Sequence, residues 1–222
     1  MPNMSEESWI PVGVASQFQP ESCHPVVVDD YELVVWSGGN GEVRAWEDRC
    51  PHRGMRLSYG FVRDGNLTCL YHGWTYNSDG QCVRIPAHPD LDPPKTICTK
   101  SYPTRNCREI VYVNLANNPG SELSASEEGG WRSVRSIFVN VPVDTARQYF
   151  EGGDNVFGTA GKPDGSAGYK IDANPLGFLT LAIQRVGQDK SAIHASSTTT
   201  DAADLKELCR LLVRARRDLE SR

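Results

Sequence analysis

Along residues 1–116 apolar and polar positions alternate over short stretches, with turn residues between them. β-rich runs fall at 25–28, 31–36, 42–46, 74–76, 81–85 and 110–115. SGGNG at 37–41 lies between two such runs and reads as a hairpin turn; NSDG at 77–80 reads as another. The pattern predicts an all-β domain of antiparallel sheets over 1–116. Residues 117–130, NNPGSELSASEEGG, carry neither period and are rich in small and polar side chains, the composition of a linker. From 131 to 222 the pattern is mixed. A strand is expected at 134–141, a short helix at 144–150, a loop over 152–168, and a strand pair at 178–186 and 191–199 joined by GQDK. Leu205, Leu208, Leu212, Ala215 and Leu219 then recur at helical spacing, so 201–222 is predicted as a helix with Asp201 or Thr200 as its N-cap. The fold class is α+β, with a small α+β domain after the all-β one, and no internal repeat is visible.

Composition narrows the partners. The 222 residues carry a net charge of −5, which gives no electrostatic reason to expect nucleic acid or an anionic membrane. No apolar run approaches the ~18 residues of a membrane span. The start, MPNMSEESW, is acidic and polar, unlike a secretory signal. Seven cysteines, an odd number spread along a mid-sized chain, argue against a disulfide scaffold and for a reducing, cytoplasmic setting.

Two of those cysteines sit in a pattern with chemistry. Cys50-x-His52 is followed by Cys69-x-x-His72, with sixteen residues between the two pairs. Thiolates suit zinc or iron–sulfur clusters, and imidazole suits zinc, iron and copper. Two of each could close a tetrahedral zinc site or hold both ends of a two-iron cluster. A zinc finger groups its cysteines in one half of the motif and its histidines in the other. Here each half holds one of each, so two parallel loops would place both Cys on one iron and both His on the other, the Rieske [2Fe–2S] arrangement.

With Arg53-Gly54 and Leu57 in the first loop and Tyr71-His72-Gly73-Trp74-Thr75-Tyr76 in the second, the stretch resembles the Rieske domain of the non-haem Rieske oxygenases. The likeness is nearest to the Rieske portions of O- and N-demethylating systems and covers residues 9 to about 116. It implies that Cys50, His52, Cys69 and His72 hold a [2Fe–2S] cluster. It also implies a cluster of low potential. Met55 and Leu70 stand where the respiratory relatives carry a disulfide, and Trp74 where those relatives have a hydrogen-bonding serine. Fewer donors to the sulfurs leave the reduced cluster less stabilised, a state suited to accepting electrons from a flavin or ferredoxin reductase. Tyr76 is a candidate donor to a cysteine sulfur. His24 and His88, outside the motif, read as loop or turn histidines.

The second half lacks what the resemblance would call for. Oxygenases of this family hold a mononuclear iron with two histidines and a carboxylate. After residue 116 this chain has a single histidine, His194, in an alternating stretch that reads as strand. The order strand, helix, strands, long helix nonetheless resembles a reduced helix-grip fold. The expected function is therefore an electron-transfer component of an oxygenase system, without a catalytic iron of its own. Its partners would be a reductase or ferredoxin and a catalytic oxygenase subunit, in a hetero-oligomer or homotrimer. Two alternatives remain. One is a complete oxygenase whose iron is held by His194 with Asp144, Asp154 or Asp172. The other is a redox sensor or binding module. Arg53, Arg56 and Arg63 near the cluster loops, and Arg210, Arg214, Arg216 and Arg217 on the last helix, are candidate docking charges.

Overall fold

The computed structural model describes residues 9–116, 130–164 and 168–221. The linker expected over 117–130 lies, apart from Gly130, outside the described residues. In chain order the strands are β1 (Ile10–Val14), β2 (Ser22–Val28), β3 (Tyr31–Ser37), β4 (Val43–Glu47), β5 (Phe61–Arg63), β6 (Asn66–Thr68), β7 (Thr75–Tyr76), β8 (Cys82–Arg84), β9 (Ser101–Tyr102), β10 (Thr104–Cys107), β11 (Ile110–Val113) and β12 (Arg132–Val139). The helix α1 (Val143–Glu151) follows, then β13 (Lys162–Pro163), β14 (Gly168–Asp172), β15 (Phe178–Gly187), β16 (Lys190–Ser197) and α2 (Ala202–Glu220). By contacts the chain forms two units. One comprises residues 17–27 and 31–104; the other takes the chain up to Ser16, residues 28–30 and everything from Arg105 onward.

The first unit holds two four-stranded antiparallel sheets, in the orders β2-β3-β4-β9 and β5-β6-β7-β8. The period of two works as expected in the second of these. Val62, Leu67, Tyr76 and Cys82 pair in register along one row and are all buried, while Phe61, Thr68, Thr75 and Arg84 form the opposite row. The inner row joins Val34, Trp36, Trp46, Cys50, Leu57, Cys69 and Ile85 in a single core. Strands β5 and β6 were not among the predicted runs. Each is only three residues long, too short for alternation to register as a pattern.

In the other unit a five-stranded antiparallel sheet, β12-β16-β15-β14-β13, carries α1 and α2 on one face. The prediction of strand, short helix, strand pair and long helix agrees with this. Leu208, Leu212, Ala215 and Leu219 of α2 are the buried stripe, packed on Leu179, Leu181, Ile183, Ile193 and Ala195. Asp201 caps α2 by accepting hydrogen bonds from the backbone N–H groups of Ala203 (2.8 Å) and Asp204 (3.0 Å). A separate sheet, β1-β11-β10, also belongs here, with Ile10 paired to Val113. The stretch 152–168 is not all loop: Lys162–Pro163 pairs with Lys170 and Tyr169.

Candidate metal centre

The two motif loops are built to one plan. In the first, the N–H of Cys50 donates to the carbonyl of Met55 (2.8 Å) and that of Gly54 donates back to Cys50 (2.8 Å). In the second, Cys69 donates to Trp74 (2.9 Å) and Gly73 donates back to Cys69 (3.0 Å). Each loop is thus a six-residue ring that starts at a cysteine, and each closes through a glycine in the left-handed region, Gly54 at φ 70° and Gly73 at φ 68°. A side chain there would strain the backbone, which is why the Cys and His residues are followed by glycine. The first loop is also clamped from outside. The buried Asp48 carboxylate accepts from the N–H (2.7 Å) and hydroxyl (2.6 Å) of Ser58, in the 3₁₀ turn Leu57–Tyr59. Hydrogen bonds to a charged acceptor contribute about 1.5–3 kcal/mol each, so this pair fixes where the loop leaves β4.

These loops bring the four side chains expected from the motif together in two pairs. Cys50 and Cys69 are buried and their sulfurs adjoin. The rings of His52 and His72 lie 4.7 Å apart between centroids. His52 is half-buried and lies flat on Trp74, at 4.2 Å and 4°. His72 is exposed and abuts Tyr71 at 3.8 Å. Tyr76, wholly buried, places its hydroxyl 3.1 Å from the Cys50 sulfur, the contact the sequence offered as a candidate. Burial, and then that hydrogen bond, push the phenol far above its ordinary value, so it remains a donor at any ordinary pH. Burial pushes the Cys69 thiol up, while backbone N–H groups of Tyr71 and His72 pull it back. The His52 imidazole is held below its usual value by burial first, then by the charges of His72 and Arg53.

The donor set can be tested against the two metals left open by the motif. Among the described residues, no three His, Cys, Asp or Glu side chains converge on one point. Instead the two thiols form one pair and the two imidazoles another. A lone zinc needs four protein donors around itself. A two-iron cluster needs only a pair at each end, because its own bridging sulfides complete each iron, so these residues fit a Rieske cluster. All seven cysteines are free, with Met55 half-buried and Leu70 exposed at the places the respiratory disulfide would take.

The other candidate residues lie elsewhere. His24 hydrogen-bonds Ser22 and packs edge-on against Phe18, and His88 is an exposed turn residue. His194 is buried in β16. Its Nε2 donates to Gln184 Oε1 (2.8 Å), so its Nδ1 accepts from the Ser136 hydroxyl (2.7 Å). Both ring nitrogens are engaged by protein. Asp144, Asp154 and Asp172 are exposed and are not gathered with it. Arg53 and Arg63 are exposed, whereas Arg56 is ion-paired with Glu32. On α2, Arg210 pairs with Glu207 and Arg216 with Glu220. Sequence reasoning missed Asp48, whose role depends on where the turn after the loop folds back. It also missed the stacking of Trp74 on His52, which only the loop geometry reveals.

Residues 8–103 match the Rieske [2Fe-2S] domain family. The chain is 29% identical over 174 residues to Oxidoreductase NdmD of Pseudomonas putida, covering 74% of this chain and 30% of that protein. It is 28% identical over 138 residues to the 5,5'-dehydrodivanillate O-demethylase oxygenase subunit of Sphingobium sp., covering 60% and 32%. The chain therefore spans about a third of the length of these relatives. Among solved structures, apo dicamba monooxygenase superposes with a TM-score of 0.72 at 16% identity, over 97% of this chain and 85% of that one, which shows a shared fold. No helix among the described residues is long and apolar enough to cross a membrane. With both loops inside the matched stretch, residues 8–103 form a Rieske [2Fe–2S] domain, in a chain that is similar in sequence to oxygenase and demethylase components and shares the fold of dicamba monooxygenase.

Proposed function

We propose that this chain is an electron-relay component of a Rieske-type oxygenase system, with its cluster held by Cys50, His52, Cys69 and His72. It would take electrons from a reductase or ferredoxin and deliver them to the mononuclear iron of a separate catalytic subunit, as part of a hetero-oligomer or homotrimer. The observation that carries the reading is the pair of matched loops, which presents two buried thiols and two imidazoles side by side. Bound there, a [2Fe–2S] cluster takes up and gives out one electron at a time. The protein's part is to hold the sulfurs away from water, to aim the Tyr76 hydroxyl at Cys50, and to leave the His72 edge open to a partner. The α+β unit fits a role in assembly, because its one histidine is occupied by Ser136 and Gln184. A cytoplasmic location fits seven free cysteines.

The test is iron and acid-labile sulfide per chain on anaerobically purified protein, with EPR of the dithionite-reduced sample. About two irons, about two sulfides and a Rieske-type signal are expected, with the signal abolished by Cys50→Ser or His72→Ala. A further iron that is bound reproducibly and lost in His194→Ala would overturn the relay and make this chain the oxygenase itself.

A further inference from the structure

We propose that Trp74 is a positioning residue for the cluster. Its indole holds the His52 ring of the other loop and so sets the plane of one imidazole independently of the second. The proposal rests on the cluster reading above and adds a residue to it. The hydrogen-bonded rings close each loop on itself, Cys50 to Met55 and Cys69 to Trp74. Side chains are what cross between the loops. His52, from the first loop, meets two residues of the second. It lies flat on Trp74, with centroids 4.2 Å apart and 4° between the planes, and it meets His72 edge-on at 4.7 Å and 65°. Two positions further on, at the end of β7, the Tyr76 hydroxyl lies 3.1 Å from the Cys50 sulfur. The segment 74–76 therefore reaches both candidate ligands of the first loop, Trp74 the imidazole and Tyr76 the thiol.

The indole has no other task that explains it. The main chain of Trp74 accepts from the Cys69 N–H, which any residue in that place could do. The side chain packs only in part against the core and stays half-buried, so part of its surface is left for His52. Aromatic pairs are favourable beyond the area they bury, and turning the His52 ring away from the indole forfeits that gain. What a ligating imidazole touches orients it and tunes the metal behind it. The second imidazole is held differently. His72 is exposed and meets Tyr71 at 3.8 Å and 38°, a sequence neighbour that is itself exposed. One imidazole is thus clamped across the loops and the other is propped from within its own loop.

The experiment uses the full chain with its cluster. Pulsed EPR of the dithionite-reduced protein reads the couplings of the electron spin to the nitrogens of the two histidines. Iron release to a chelator is timed, and thermal midpoints are measured in parallel. Trp74→Leu keeps apolar bulk and removes the flat face; Trp74→Phe keeps a ring; Tyr71→Leu makes the same change beside the other imidazole. Expected in Trp74→Leu are a shift in one histidine coupling with the other unchanged, and iron release faster by about fivefold. Trp74→Phe should restore both toward the wild type, and Tyr71→Leu should move the other coupling. The proposal is overturned if Trp74→Leu leaves both couplings as in the wild type. It is also overturned if both couplings shift together with a fallen thermal midpoint, which is the mark of packing alone, or if Tyr71→Leu moves the same coupling as Trp74→Leu. Should Trp74→Leu fail to hold iron, Trp74→Phe decides. Recovery of iron and of wild-type couplings supports the stack, and their loss there overturns it. Failure of the cluster reading is distinct: it would appear as a missing Rieske signal in the wild type.

Discussion

Replacing Tyr76 by Phe removes one hydroxyl and nothing else. The oxygen lies 3.1 Å from the Cys50 sulfur in a wholly buried site. A reduced cluster carries one more negative charge than an oxidised one, so a donor to its sulfur stabilises the reduced form more. Hydrogen bonds to charged acceptors contribute about 1.5–3 kcal/mol. Only the difference between oxidation states reaches the potential, and taking it as about 1 kcal/mol gives a drop of about 45 mV for a one-electron couple. The other sulfur does not share this dependence, because Cys69 receives backbone N–H groups from Tyr71 and His72. The assay is a redox titration followed by EPR, with iron content measured to show that the cluster is retained. The expected result is full occupancy and a midpoint lower by tens of millivolts. An unchanged or raised midpoint at full occupancy would refute the assignment of Tyr76 as a donor to the cluster.

Gly73→Ala should lose most of its iron and labile sulfide, because it combines positive φ with a Cβ 2.9 Å from the Pro86 ring. Gly54→Ala has open space around the new Cβ and should cost only the backbone strain, about 1 kcal/mol, read as a small fall in thermal midpoint. Asp48→Asn turns one acceptor into a donor facing Ser58. It should destabilise its unit by about 1–3 kcal/mol in chemical denaturation and loosen cluster binding. His194 is pushed down to about 3 by burial, against about 6.5 in an unfolded chain. The unfolded state therefore takes up the proton first. Stability from this group is complete above about pH 6.5 and falls by about 1.4 kcal/mol per pH unit on acidification toward pH 3. Denaturation midpoints should thus show a loss of about 2 kcal/mol between pH 6.5 and 5 that is absent in His194→Gln.

Chemistry was written locally in this chain, and architecture was not. Four candidate ligands of two types at fixed spacing, each pair followed by a glycine, pointed to a cluster cradle from the sequence. A loop of six residues is short enough for its sequence to dictate its turn. The stripe on α2 and its Asp201 cap were legible for the same reason, since period and cap both act within a few residues. The fate of His194 needed the sheet. Sequence offered a lone strand histidine, and only the pairing of β12 and β15 with β16 set Ser136 and Gln184 against its two nitrogens. The Asp48 clamp, the Trp74–His52 stack and the pairing of Ile10 with Val113 were likewise invisible. Each joins residues whose meeting depends on how the chain turns between them. By itself, then, the sequence set out the candidate donors with their spacing and the periodic elements, because those follow from nearest-neighbour geometry. Tertiary structure alone decided which donors are buried, which ring is open to a partner and which face of β5-β6-β7-β8 meets solvent. Burial and exposure are properties of the packed chain as a whole and are not carried by any one segment.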